Sequence, residues 1–445
     1  MISRMDIKSE DVIIDEIDFT TMPGTNTAVL GSKFVKVPLR NAYQAEGPWE
    51  FSLTNHSRNY LDLKRTYLVF TFDITDTAGN FVQMDSKLLE TSMSYAPINN
   101  IAGSIIKTVT LHINSQLVYG NSTNHAYKSY FENLLNYSQD IKDSTLSAAG
   151  FYHDTAVEEF TSLGYQKRCL MVFNPKPVQV ATNISIDLMN QSRLLLNSCK
   201  ATLTVYPNTS DFLIEGHNLG TKKLKLNIRD VYALVHEYEL TDGLSNELEA
   251  ALIEHKLIQY PMISTQVRSF YIGPSRLDAP ANTLFTSKMP RRIFLGLVSA
   301  EAYNGSQKTS PFNFKPYGLK NVHIDYCGKT VPGRPLELDF ENNKFIEAFI
   351  QMQEAIGHSR NNSTCNSINT QMFKEKGFTI YGFELSPVAL DNSLFEMVVQ
   401  TNVSIRLDFK EKTPENGLYC VVVAEFDALM GLDTLRNPIL DATAH

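Results

Sequence analysis

The sequence predicts an all-β fold of two tandem eight-stranded antiparallel jelly rolls, with short helices in the connecting loops. Three observations carry this. Apolar residues recur with period two over most of the chain. One local plan occurs twice, in the same order, in the two halves. Long irregular stretches separate many short strand patterns, which suits a jelly roll better than a propeller or an up-and-down barrel.

The first element of the repeat is Lys107 to Tyr119, K-T-V-T-L-H-I-N-S-Q-L-V-Y, an alternating strand, a polar turn and the start of a second strand. A helical stretch from Ala126 to Tyr137 follows, with Tyr127, Tyr130, Phe131, Leu134 and Leu135 at helical spacing. Lys320 to Pro332, K-N-V-H-I-D-Y-C-G-K-T-V-P, repeats the plan, and a second helical stretch runs from Asn343 to Met352. Val109 and Val322 align without a gap. A weaker echo closes each half, Val235-His236-Glu237-Tyr238-Glu239 against Val423-Ala424-Glu425-Phe426-Asp427. A duplicated β unit suggests a building block rather than a catalyst.

Along the chain, residues 1–30 read as an arm, with Val12, Ile13, Ile14, Ile17 and Phe19 set among acidic residues and available to a neighbouring subunit. Residues 31–240 read as the first roll. Leu68, Phe70, Phe72 and Ile74 alternate with polar residues, as do Ala201, Leu203 and Val205, and Ile184, Ile186 and Leu188. Residues 241–259 read as a connector helix carrying Leu244, Leu248 and Leu252, ended by Pro261. Residues 260–445 read as the second roll and its tail. Strand periodicity resumes near Val267 and is clearest at Val403, Ile405, Leu407 and Phe409. Long loops without strand or helix pattern are expected at about 76–104, 138–176, 206–221 and 356–374, where connections of this size usually serve interactions.

With 445 residues, 43% hydrophobic and 20% charged, either half is long enough to bury its own core. A net charge of −8 and no basic cluster argue against sequence-specific nucleic-acid binding. The five cysteines are scattered without a C-x-x-C pair, which predicts neither a disulfide framework nor a zinc site and favours folding in a reducing compartment. The N-terminus shows no signal peptide, and no apolar run approaches the ~20 residues a membrane span needs. Triplets such as those at Asn121, Asn183 and Asn402 fit the glycosylation pattern by chance.

Nucleotide-binding, nucleophile-elbow and zinc-protease motifs are absent, and no catalytic residue, metal ligand or cofactor is expected. His236 projects from a strand away from Glu237 and Glu239. His323 and Asp325 share a strand face but lack a third ligand. Asp339, Glu341 and Glu347 offer the carboxylates of a glycosidase. A β-sandwich carbohydrate-binding protein or glycosidase is therefore the rival class, although the single tryptophan, Trp49, makes a sugar platform poor. Asn304-Gly305, Pro311-Phe312-Asn313-Phe314 and Asp339-Phe340-Glu341-Asn342 read as fasteners of loops to the second core.

These blocks also carry a resemblance. Pro290 to Val298, Ala302 to Ser306, Asn313-Phe314-Lys315 and Asp339 to Asn342 resemble the major capsid protein of Polinton/Maverick elements and adintoviruses. In the first half Tyr127 to Tyr130, Leu134-Leu135-Asn136-Tyr137 and Phe151 to Thr155 resemble the same family, as do Tyr381 to Pro387 and Ala424 to Asp427 near the end. The ordered set spans roughly residues 100 to 435. The resemblance implies a hexon-like double-jelly-roll subunit without enzymatic activity. It also implies homotrimers that tile an icosahedral virion capsid around double-stranded DNA beside penton and minor capsid proteins. A minor or vertex protein of the same shell is the other structural alternative.

Overall fold

The coordinates are a computed structural model describing residues 15–54, 58–85, 92–120, 124–255, 257–358, 365–387, 390 and 394–440. Among the described residues, eight strands build the two main sheets of the first half: β1 (Val29–Val37), β2 (Trp49–Thr54), β3 (Asn59–Asp76), β4 (Ile106–Ile113), β5 (Gln116–Gly120), β6 (Val178–Asn183), β7 (Lys200–Pro207) and β8 (Leu224–Leu240). They form two antiparallel sheets, ordered β1-β8-β3-β6 and β2-β7-β4-β5. The second half supplies β9 (Leu257–Ile272), β10 (Asp278–Phe285), β11 (Arg292–Ser299), β12 (Leu319–Tyr326), β13 (Lys329–Val331), β14 (Ile380–Glu384), β15 (Val403–Phe409) and β16 (Leu418–Asp433). Its sheets run β9-β16-β11-β14 and β10-β15-β12-β13, the same permutation with every strand number raised by eight. This eight-strand, two-sheet arrangement is the jelly roll, and it occurs twice. A short pair, Ser94–Pro97 with Ile214–His217, and the strand Pro438–Leu440 beside β16 are additions to the plan.

The two sequence echoes occupy matching places. Lys107–Tyr119 falls on β4 and β5, and Lys320–Pro332 spans β12 and β13. Val235–Glu239 lies on β8 and Val423–Asp427 on β16, each second in its sheet. Both hairpins turn on two residues of positive φ, Asn114-Ser115 and Cys327-Gly328, the geometry that matches strand twist in a two-residue loop. The alternation read at Leu68–Ile74, Ala201–Val205 and Val403–Phe409 lies on strands, with the apolar members buried.

Helix α1 (His125–Asn136) and helix α3 (Ile346–Ile356) lie between the fifth and sixth strands of their halves, and α2 (Asp242–His255) joins the halves. Several expectations need correction. Pro261 does not end α2; β9 starts at Leu257 and contains Pro261. The proline is tolerated because β9 is an edge strand with β16 on one side only. Ile184, Ile186 and Leu188 are not on a strand: β6 stops at Asn183, and a short helix spans Asp187–Asn190. Residues 184–189 are all buried, so their alternation does not mark one wet face. The stretches expected to be patternless hold short elements, among them helices Ile101–Ile105, Leu163–Met171, Ser210–Leu213 and Thr370–Glu375. Of the arm residues, Ile17 and Phe19 are exposed, while Val12, Ile13 and Ile14 lie outside the described residues.

Candidate functional site

A cluster of aromatic side chains joins the two halves. Helix α1 places Tyr127, Tyr130 and Phe131 on one face, at i, i+3 and i+4. Phe312 stacks on Tyr130 with centroids 3.9 Å apart and planes within 4°. Phe314 meets Phe131 edge-to-face at 5.2 Å, and Tyr303 stacks on Tyr127 at 5.5 Å. Phe212 from the first half closes on Phe312 at 6.2 Å. Buried aromatic pairs of this geometry are worth about 0.5–1.5 kcal/mol each beyond their burial. Two glycines permit the approach. A Cβ at Gly296 on β11 would come within 2.5 Å of the Phe314 ring. Gly305, at φ 102°, lies so close to the first half that a Cβ would meet the Phe212 backbone nitrogen at 3.3 Å.

Polar groups lock the same joint. Glu158 of the first half accepts from the Ser310 backbone N–H at 2.8 Å and from the Asn313 side-chain amide. Gln307 donates to the Leu224 carbonyl at 2.7 Å and accepts from the Leu224 N–H at 3.0 Å. Lys128 is fully buried on α1 and pairs with Asp187, whose other oxygen accepts from Ser264 of β9 at 3.1 Å. Burial opposes the Lys128 charge, but Asp187, Tyr119 and Glu132 together outweigh it and keep the ammonium protonated. Lys142 donates to the carbonyls of Leu134 and Asn366, one in each half, at 2.7 and 2.8 Å. Arg436 reaches back to the Asn197 carbonyl at 2.8 Å and to Glu249.

The sequence-singled residues therefore divide. Tyr130, Gly305, Pro311, Phe312, Asn313 and Phe314 are at the joint; Phe312 and Phe314 fasten the two halves together rather than a loop to the second core alone. Asp339, Phe340, Glu341 and Asn342 form a separate fastener inside the second half, where Phe340 stacks on Phe345 at 5.5 Å. Asn136, Tyr137 and Asn304 are exposed. Lys128, Asp187, Gln307, Lys142 and Arg436 escaped sequence reading because their partners lie far away along the chain and an isolated Lys or Arg reads as surface.

A second buried polar group stabilises the first half. Arg168 on helix Leu163–Met171 donates to Asp154 at 2.7 Å and to Glu215 at 3.1 Å. Burial pushes the Glu215 carboxyl up to about 7, against the pull of Arg168 and with added repulsion from Asp154. The folded chain thus holds this proton more tightly than the unfolded chain, whose glutamate sits near 4.5. The stabilising contribution is complete below about pH 4.5 and is lost as pH rises through about 7. Glu215→Gln is expected to flatten that window in urea unfolding midpoints measured from pH 4.5 to 8; an unchanged slope would assign it to other groups.

Among the described residues, the side chains named for the rival chemistries pair elsewhere. Asp339 and Glu341 both pair with Lys410, and Glu347 pairs with Arg334. Asp325 pairs with Arg406, and His236 lies between the rings of Phe34 and Tyr238. Among the described residues no group of three His, Cys, Asp or Glu side chains is placed to hold a metal. Trp49 is fully buried and donates to the Gln44 carbonyl, so it offers no sugar platform.

No family model matches the chain. It is 65% identical over 421 residues to the uncharacterized protein F54H12.2 of Caenorhabditis elegans, covering 95% of this chain and 100% of that protein. The chain belongs to the F54H12.2 family. Solved capsid structures share its architecture over nearly the whole chain. A chain of the Sputnik virophage cryo-EM structure superposes with a TM-score of 0.67 at 10% identity, covering 99% of this chain and 95% of its own. The mavirus major capsid protein gives 0.59 at 10% identity over 100% and 97% of the two chains. The Faustovirus major capsid protein gives 0.55 at 8% over 94% and 92%. The fold of this F54H12.2 relative is the double jelly roll of these capsid proteins, as the Polinton resemblance implied.

Proposed function

We propose that this chain is the major capsid protein of a Polinton/Maverick-like or adintovirus particle, built as homotrimers that tile an icosahedral shell around double-stranded DNA. The observation that carries the reading is the exact repetition of one eight-strand order in two halves clamped by a buried joint. Three chains with two similar wedges each supply six, so a threefold assembly fills a near-hexagonal tile. Closed rings of this kind use unlike faces in each contact. Residues 31–240 and 260–445 act as the two wedges, with 241–259 connecting them. The partners are a further two copies, neighbouring trimers, and penton and minor capsid proteins. The role is structural, the residues singled out above serve packing and assembly, and the site of action is the virion. No described helix is long and apolar enough to cross a membrane.

Sedimentation and negative-stain imaging of the purified chain test this. A species of about 150 kDa, three times 50.1 kDa, with a six-lobed outline is expected. A monomer at every concentration would overturn the proposal.

A further inference from the structure

We propose that Lys128 and Asp187 are joined by an amide bond that the folded chain forms by itself, a covalent tie between helix α1 and the β6–β7 connection. The chemistry is condensation of an amine with a carboxyl group, and the other product is water. Such a tie goes beyond a capsid role and does not depend on the assembly state.

The two groups are 59 residues apart in the chain and meet in the core beside the joint. Their side chains are 0% and 6% exposed, and the amine rests on Asp187 Oδ1. A buried lysine–aspartate contact is by itself a structural ion pair. Three neighbours equip this one for reaction. The Tyr119 hydroxyl accepts from the amine at 3.2 Å and fixes its approach. The Ser264 hydroxyl donates to Asp187 Oδ2 at 3.1 Å. Oδ2 is the oxygen that stays as the amide carbonyl, so this donor sits where negative charge develops during attack. Glu132 lies four residues beyond Lys128, on the same face of α1. Burial raises its carboxyl although Lys128 pulls the other way, which suits it to take up and release a proton. Because Ser264 belongs to the second half, the full constellation exists only once the halves have docked.

The resting pair is an ammonium and a carboxylate. One proton crosses from Nζ to Oδ1, which leaves a neutral amine and a carboxylic acid. The Nζ lone pair then attacks Cγ, the N–C bond forms, and charge moves onto Oδ2 beside Ser264. Glu132 takes a second proton from Nζ and returns one to Oδ1, the C–Oδ1 bond breaks, and Oδ1 departs as water. Two protons leave the nitrogen and two arrive on the departing oxygen, so no further reagent is needed. Held in contact, such reactants reach effective concentrations of about 10⁵–10⁸ M. The amide also replaces two buried charges, each costly to keep out of water, by one neutral group. A groove of about 420 Å³, lined by Tyr119, Asp187, Ser264 and the exposed Gln266 and Arg268, leads the water to the surface.

Denaturing mass spectrometry of the full chain is expected to give a mass below that of the sequence by one water. Digestion should then release a branched peptide joining the segments around Lys128 and Asp187. Lys128→Arg keeps the positive charge but has no amine that condenses, and should show the full mass. Glu132→Gln should leave most chains at full mass in a matched preparation; cross-linking equal to the parent's would overturn the relay. A parent that is folded by circular dichroism and keeps the full mass after long incubation near neutral pH overturns the proposal, and this measurement needs no variant to fold. A one-water deficit that persists in Lys128→Arg, or that comes without the branched peptide, overturns it as well, because Asp242-Gly243 can lose the same water by cyclising.

Discussion

Phe312→Ala is expected to destabilise the folded chain by about 3–5 kcal/mol, the usual cost of emptying a fully buried aromatic position. Phe312, from the second half, is 1% exposed and packs against three rings of the first half: Tyr130 at 3.9 Å, Tyr127 at 5.7 Å and Phe212 at 6.2 Å. The cavity cannot collapse easily, because α1 is held by the Lys128–Asp187 pair and the loop carrying Phe312 by Glu158. Guanidinium unfolding followed by circular dichroism measures the loss. Tyr130→Ala in the same background should cost less than it does alone, with a coupling of about 0.5–1.5 kcal/mol. A loss below about 1 kcal/mol, the scale of an ordinary substitution, would mean that the halves are held mainly by other contacts.

Arg168→Met is expected to cost about 3–5 kcal/mol at neutral pH, because it leaves two carboxylates buried without their cation. Asp154 and Glu215 are 7% and 3% exposed, and their distances of 2.7 and 3.1 Å to Arg168 make it a two-pronged clamp. It ties helix Leu163–Met171 to the strand Ile214–His217 and to the loop at Asp154, which also accepts from Asn99 and Ser162. Two checks separate charge from shape. Lowering the pH should recover part of the loss, since Glu215, already pushed up to about 7, takes a proton readily. Adding Asp154→Asn and Glu215→Gln to Arg168→Met should also recover stability, because a buried ionic group can often be replaced at little net cost. If neither restores stability, the guanidinium acts mainly by filling space.

The first prediction concerns what holds the two β units together, and the second what holds the first unit together. The proposed pseudo-hexameric tile needs its two wedges fixed relative to each other before assembly. The joint supplies this with a buried aromatic centre and a rim of charged and amide groups that cross from one half to the other.

What the sequence by itself determined is the architecture of each half. Period-two apolar runs at Leu68–Ile74, Ala201–Val205 and Val403–Phe409 became strands, since a residue on a half-buried sheet has only two faces to choose between. The duplicated hairpins and the helices near 126–137 and 343–352 were legible for the same local reason, and the blocks around Asn313 and Asp339 marked the capsid-protein resemblance. Short helices such as Leu163–Met171 were not legible, because their buried faces include charged residues whose partners are remote. Only the tertiary structure decided that Phe312 stacks on Tyr130, 182 residues earlier (312 − 130), and that Lys128 is a core residue rather than a surface one. Such pairings depend on how two finished halves meet, and local periodicity carries no term for that encounter.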